Sequence, residues 1–232
     1  MINRKTIGQR VSGRHLFLCR MAGDVKGASI LDLGCGFGWF EAFAINAGCS
    51  RIVGLDTDEV SLKRAARETT GPEFLLYDAL NAPENMGEFD IVVMFDFLEH
   101  VPAGDESLLL EKVRGFLKPD GRLLISTPHR GLVSTLLDPA FYLGHRHYKS
   151  TEIERLLGGA YFKIQRVAYA GGVWEQISMI WLYIFKWFFG REMPFEAFLE
   201  KRRAREYEDS RPKPGRLKAC VTMFVEATRL AD

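Results

Sequence analysis

The 232-residue chain reads as an α/β protein whose mostly parallel sheet carries helices on both faces. Three observations predict this. Short apolar runs alternate with helical patterns through the first two-thirds of the chain, as repeated strand–helix–strand units require. Those runs are nearly continuous, which suits strands covered on both faces. The first of them, SILDL (29–33), passes directly into a G-x-G-x-G turn formed by Gly34, Gly36 and Gly38.

The elements follow in order. Residues 1–24 give a surface helix leading into the domain. SILDL is the first strand, WFEAFAINAG (39–48) a helix ending at Gly48, RIVGLD (51–56) the second strand and DEVSLKRAARET (58–69) the second helix of the alternation. FLLYD (74–78), FDIVVMFD (89–96) and RLLISTP (122–128) continue as strands. Between the last two, ESLLLEKVRGFL (106–117) forms a helix stopped by the turn KPDG, with Pro119 and Gly121. STEIERLLGGA is a further helix, and YFKIQRVAYA (161–170) a strand of alternating exposure. An aromatic segment and the charged loop KRRAREYEDSRPKPGR then precede a final strand in LKACVTMFVEATRL (217–230). The chain is thus expected to be one domain, with its core at 25–170 and an aromatic helical insertion plus basic loop at 171–216.

Composition narrows the function. Hydrophobic content of 47% and charged content of 26% are ordinary for a soluble globular domain. With 31 basic against 30 acidic residues, no global field favours nucleic acid. Cys19, Cys35, Cys49 and Cys220 form no CxxC pair, which points to a reduced, cytoplasmic compartment. The N-terminus is basic but lacks a continuous apolar core, so it does not read as a secretory signal. Oligomeric state stays open.

A glycine turn between first strand and first helix lets a ligand approach the main chain. Three carboxylates define that ligand. Asp32, near the end of the first strand, would repel a pyrophosphate but can hold a cationic amine. Asp56 ends the second strand 18 residues after Gly38, where a carboxylate accepts from ribose hydroxyls. Asp78 ends the third, placed to accept from an exocyclic adenine amine. The glycine spacing also lacks the G-x-G-x-x-G register that seats a pyrophosphate. A ligand with an amine, a ribose and an adenine but no phosphates meets all these conditions, and S-adenosylmethionine has those parts. A nicotinamide-dependent oxidoreductase is the alternative that the same conditions disfavour. A catalytically silent cofactor-binding subunit is another.

The segments ILDLGCGFG (30–38), IVGLD (52–56), YDAL (77–80), FDIVVMFDFLEHV (89–101) and LKPDGRLLISTP (117–128) resemble those of class I S-adenosylmethionine-dependent methyltransferases. The likeness is strongest to the broad group containing the ubiquinone and menaquinone biosynthesis enzymes. It covers roughly residues 25–170. It implies a Rossmann-like seven-stranded sheet with an antiparallel last strand and S-adenosyl-L-methionine as cofactor. By the same resemblance Asp32, Gly34 and Gly36, with Cys35 inside the loop, lie at the methionine moiety. Asp56 holds the ribose with Thr57 beside the adenine, Asp78 and Ala79 flank the ring, and Phe95 and Asp96 close the site.

Methyl transfer from a sulfonium is an in-line displacement, so the protein must align the partners and exclude water. A hydroxyl acceptor gains from a base near neutral pKa. Glu99, His100 and His129 are the catalytic candidates, since they follow the fourth and fifth strands. His145 and His147 can share a face, but two imidazoles with only Glu99 and His100 near make a poor metal site, and none is expected.

The segment GVWEQISMIWLYIFKWFFG (172–190) is nearly all large and apolar apart from Glu175, Ser178 and Lys186. Its two charges within 19 residues argue against a spanning helix. Three readings follow: a lid over the acceptor, a dimer interface, or peripheral membrane contact through 172–205 aided by KRRAR (201–205). A lid or membrane-facing helix goes with an apolar acceptor pocket, and the expected acceptor is a small-molecule or lipid-linked compound methylated at oxygen or carbon.

Overall fold

The chain reverses its winding direction once, and that reversal positions the site. The computed structural model describes residues 11–136, 138–142, 144–185, 195–208 and 221–231. Among these, strands β1 (Ser29–Leu33), β2 (Arg51–Asp56), β3 (Glu73–Leu76), β4 (Phe89–Phe95), β5 (Leu117–Pro128), β6 (Phe162–Ala170) and β7 (Thr222–Arg229) form one sheet. Its order is β3-β2-β1-β4-β5-β7-β6. β7 runs antiparallel to both neighbours, and the other pairings are parallel. After β3 the chain crosses to the other side of β1, so a crevice opens at the strand C-termini between β1 and β4.

The helices are α1 (Gly13–Ala22), α2 (Trp39–Asn46), α3 (Glu59–Glu68), α4 (Glu106–Phe116), α5 (Leu132–Leu136), α6 (Pro139–Tyr142), α7 (Ser150–Gly159), α8 (Val173–Ile184) and α9 (Glu196–Glu208). Strand side chains alternate between two cores. Ile30, Ile52, Val93 and Phe224 pack with Phe17 and Leu18 of α1, Phe40 and Phe43 of α2 and Tyr207 of α9. Leu31, Leu33, Val92 and Ile125 pack with Leu110 and Val113 of α4 and Ile153 and Leu157 of α7. Both faces are therefore dry, which is why the strands read as continuous apolar runs.

The elements of the core fall within a residue or two of their expected bounds, except that β5 starts at Leu117, five residues before the expected 122. The KPDG turn lies inside β5 as an excursion from register: Phe89 pairs with Leu117 and Ile91 with Arg122, and Asp120 adopts φ 61°. The last strand starts at Thr222; the expected positions 217–220 lie outside the described residues, as do 1–10 of the expected N-terminal helix.

The charged loop expected at KRRAREYE is instead the second half of α9. Two features make it helical. Leu199 and Tyr207 both turn inward, 7% and 1% exposed, anchoring the helix at each end. Its acidic side chains cap other helices. Glu200 accepts from the Gly13 N–H at the start of α1 (2.8 Å), and Glu206 accepts from the Trp174 and Glu175 N–H groups at the start of α8 (2.9 and 3.0 Å). The Arg203 guanidinium makes a two-pronged ion pair with buried Glu175 (2.7 and 3.0 Å). α1 and α9 touch so closely that a Cβ on Gly13 would overlap the Ala204 backbone. The three helices form one cap beside the strand C-termini.

Candidate cofactor and acceptor site

The turn after β1 is stitched to β2 by main-chain bonds. The Gly34 and Cys35 N–H groups both donate to the Leu55 carbonyl, at 2.8 and 3.0 Å. Gly36 N–H donates to Asp56 Oδ2 (2.8 Å) and Asp58 N–H to Asp56 Oδ1 (2.9 Å). Each Asp56 oxygen keeps a lone pair for another donor. The glycines serve different neighbours. At Gly34 (φ 82°) a Cβ would stand 2.5 Å from the Phe97 ring, and at Gly38 (φ 75°) it would meet Ala65 and Phe74 at 3.0 Å. Gly38 is the N-cap of α2 and packs that helix against α3 and β3.

A cavity of about 260 Å³ opens over this turn, lined by Gly34, Leu55, Asp56, Thr57, Tyr77, Asp78, Ala79, Asp96, Phe97 and His100. Asp78 is held at the wall by the Leu80 N–H (2.9 Å) and Asn81 Nδ2 (3.2 Å). Asp96 sits in the left-handed region (φ 54°), fixed by the Ser126 carbonyl and hydroxyl and by an ion pair with Arg14 of α1. Leu55, Tyr77 and Phe97 offer apolar walls for a flat ring. The lining holds three carboxylates and no lysine or arginine. Such a wall suits hydroxyl, amine and sulfonium groups and repels phosphates, so the residues present fit S-adenosylmethionine and not a dinucleotide.

Of the ten expected cofactor residues, Gly34, Asp56, Thr57, Asp78, Ala79 and Asp96 are in this lining. Asp32, Cys35, Gly36 and Phe95 are not. Strand alternation turns Asp32 (3% exposed) under the loop against Glu41 of α2, which is fully buried. Burial first, then Asp32's charge for Glu41 and Asp56's charge for Asp32, raises both carboxyls above their usual range. Asp32 thus faces Glu41 and not the cavity. The Cys35 thiol is likewise buried, packed toward Gly54, and burial pushes its pKa up. Phe95 packs on Trp39 and Phe40, at ring separations of 5.9 and 5.1 Å. Gly36 contributes through its N–H to Asp56. Leu55, Tyr77 and Phe97 were missed although each adjoins a singled-out carboxylate; ring-sized apolar neighbours of those positions were the available signal. Nothing in the sequence pointed to Arg14.

The three catalytic candidates separate. His100 reaches the cavity and packs edge-on against His145, with ring centroids 4.5 Å apart. Burial, then the His145 charge, lowers its pKa and favours the neutral imidazole. Glu99 is buried and accepts from the Thr127 hydroxyl (3.1 Å); burial, then Asp96's charge, pushes it up to about 8. His129 is buried with its ring edge-on to Tyr169 (5.0 Å), and its main-chain N–H donates to the Val221 carbonyl (2.8 Å). His145 and His147 do not converge: His147 lies between Asp138 (2.9 Å) and Thr135 (3.2 Å), away from His100.

Known proteins match this arrangement. A family model for a methyltransferase domain matches residues 10–167. The chain is similar to a ubiquinone biosynthesis O-methyltransferase of Bordetella avium, at 33% identity over 121 residues, 50% of this chain and 49% of the relative. It is also similar to a demethylmenaquinone methyltransferase of Lactococcus lactis subsp. lactis, at 36% over 117 residues, 46% of this chain and 45% of the relative. The chain thus spans about half the length of the curated relatives it matches. In fold it is similar to a crystal structure of an S-adenosylmethionine-dependent methyltransferase from Mesorhizobium loti, with TM-score 0.64 and 23% identity over 94% of this chain and 98% of that one. With the family model covering more than half of its length, the chain belongs to the methyltransferase-domain family, among the class I S-adenosylmethionine-dependent methyltransferases.

Proposed function

We propose that the chain methylates a small-molecule acceptor, at oxygen or carbon, using S-adenosylmethionine. The observation that carries this is the cavity lining: carboxylates and ring-sized apolar walls without a basic side chain, and one neutral imidazole at the edge. When bound, the cofactor supplies an electrophilic methyl group on a sulfonium. In this reading Asp56 takes the ribose hydroxyls, Asp78 and Ala79 border the adenine with Tyr77, and the Gly34 main chain borders the methionine portion. His100 accepts the proton of an acceptor hydroxyl, for which its depressed pKa keeps it in the basic form. Glu99 and His129, buried behind the wall, hold the strand ends and position rather than react. The names of the two curated relatives support a quinone-type acceptor. The apolar surroundings of α8 agree with one that is lipid-linked.

Two measurements test the reading. Calorimetry should show S-adenosylhomocysteine binding and no NAD binding, and Asp56→Ala should weaken the former about ten- to a hundredfold, or about 1.5–3 kcal/mol. Tight NAD binding would return the case to an oxidoreductase. With a simple hydroquinone acceptor, His100→Ala should slow S-adenosylhomocysteine release by about two to four orders of magnitude at unchanged cofactor affinity. An unchanged rate removes His100 from the chemistry.

A further inference from the structure

Helix α8 is amphipathic in the reverse sense. Its polar residues Glu175, Gln176 and Ser178 face inward, each 2% exposed. Its outward stripe, spaced by four, is Val173, Ile177 and Trp181, at 53%, 39% and 38% exposure. A helix facing only water has the opposite pattern. Across from the stripe, Phe195, just before α9, and Phe198 within it are exposed, 76% and 50%. Between the helices lies a cavity of about 430 Å³ whose lining residues, Ile177, Trp181, Phe195, Phe198 and Leu199, are all apolar. It shares no residue with the cofactor cavity.

The border of this patch is basic. Lys201, Arg202 and Arg205 are exposed on the same side of α9 as Phe198, at positions i+3, i+4 and i+7 from it. Arg202 lies over the Trp174 and Phe198 rings, 5.3 and 5.4 Å from their centroids. Of the acidic groups nearby, Glu175 is engaged by Arg203, Glu200 by the start of α1 and Glu206 by the start of α8; Glu196 stands at the first turn of α9 and Glu208 at its far end. The whole chain carries only +1, so this is a local cluster and not a general excess. Among the described residues no helix is long and apolar enough to cross a membrane.

We propose that the α8–α9 face docks onto the surface of an anionic lipid bilayer. Ile177, Trp181 and Phe198 enter the headgroup–acyl boundary, to a depth of about 5–10 Å, while Lys201, Arg202 and Arg205 meet lipid phosphates. The charge pattern selects this occupant. A second copy of the chain would bring three cations against three cations, whereas an anionic surface complements them.

Flotation with vesicles of phosphatidylcholine alone and of phosphatidylcholine with phosphatidylglycerol tests this on the full chain. Binding is expected to the anionic vesicles and to weaken with added salt. Lys201→Gln with Arg205→Gln should weaken it roughly twenty-five-fold, about fivefold for each cation. Phe195→Glu with Phe198→Glu, both at exposed positions, should abolish it. Thermal unfolding followed by circular dichroism checks that each variant folds, independently of any cofactor. Absence of flotation by the folded wild-type chain overturns the proposal, as does equal flotation of the phenylalanine variant. So does a solution dimer that the phenylalanine variant dissociates, which would make the face a self-association surface.

Discussion

The glycine turn lines the cofactor cavity and the helical cap reaches it through Arg14 on Asp96, and the two are held in place differently. In the turn the ties are main-chain N–H groups: those of Gly34 and Cys35 to the Leu55 carbonyl, those of Gly36 and Asp58 to Asp56. In the cap they are side chains reaching between helices distant in sequence. Glu200 caps α1 from 187 residues away, Glu206 caps α8 from 32, and Arg203 neutralises Glu175 from 28. The Leu55 carbonyl is a main-chain acceptor that any residue supplies, and Asp56 is the one side chain among these ties. Only a specific carboxylate in a specific place supplies an inter-helix cap. Apart from Asp56 and the glycines that leave no room for a Cβ, the turn should therefore tolerate side-chain changes that the cap does not.

The largest expected effect comes from cutting the cap's ion pair. Glu175 has 2% side-chain exposure and Arg203 23%, so Arg203→Met leaves a buried carboxylate without its cation. Removing one partner of a buried pair costs about 3–5 kcal/mol, and the partial exposure of Arg203 places this case near 3. Hydrogen exchange should show α8 and α9 losing protection while S-adenosylhomocysteine affinity stays within about twofold. Loss of cofactor binding in step with the cap would show that the two regions are one cooperative unit.

The same contrast explains what the sequence disclosed. Strand runs such as SILDL and RIVGLD carry their burial in their own composition, and Asp56, Asp78 and Asp96 sit at strand ends that strand–helix alternation alone locates. Asp32 lies outside the cavity lining because its side-chain direction depends on alternation within β1 and on Glu41, a partner nine residues on whose burial no local pattern announces. KRRAREYE reads as a loop because its charges look solvated. Glu200, Arg203 and Glu206 are in fact spent on α1 and α8, which only the tertiary arrangement reveals. Arg14 was invisible for the same reason: its meaning lies in Asp96, 82 residues away.

A second effect concerns the wall between the two regions. Glu99 has an ordinary value of 4.5 and is pushed up to about 8 in the folded chain. Between those values the folded state holds a proton that the unfolded state has released, so stability falls as pH rises through this window. One such group changes stability by up to about 1.4 kcal/mol per pH unit, or about 2 kcal/mol between about pH 6 and 7.5. Glu99→Gln keeps an acceptor for the Thr127 hydroxyl but cannot ionise. Urea unfolding of this variant should show a flatter decline by that amount, the rest being left to Asp32 and Glu41. A slope identical to wild type would mean that Glu99 is ionised in the folded chain.

The smallest expected effect returns to the turn. Cys35 lies between two glycines of the motif, yet its thiol is 2% exposed and directed toward Gly54, not into the cofactor cavity. What it gives the site is its N–H, 3.0 Å from the Leu55 carbonyl, and alanine gives the same. Cys35→Ala should cost about 1 kcal/mol, from the sulfur's lost contacts and the small void left beside Glu41. Calorimetry should find S-adenosylhomocysteine affinity within about twofold of wild type. A larger loss of affinity at that small cost in stability would mean that the thiol itself reaches the ligand, and that the turn, like the cap, depends on its side chains.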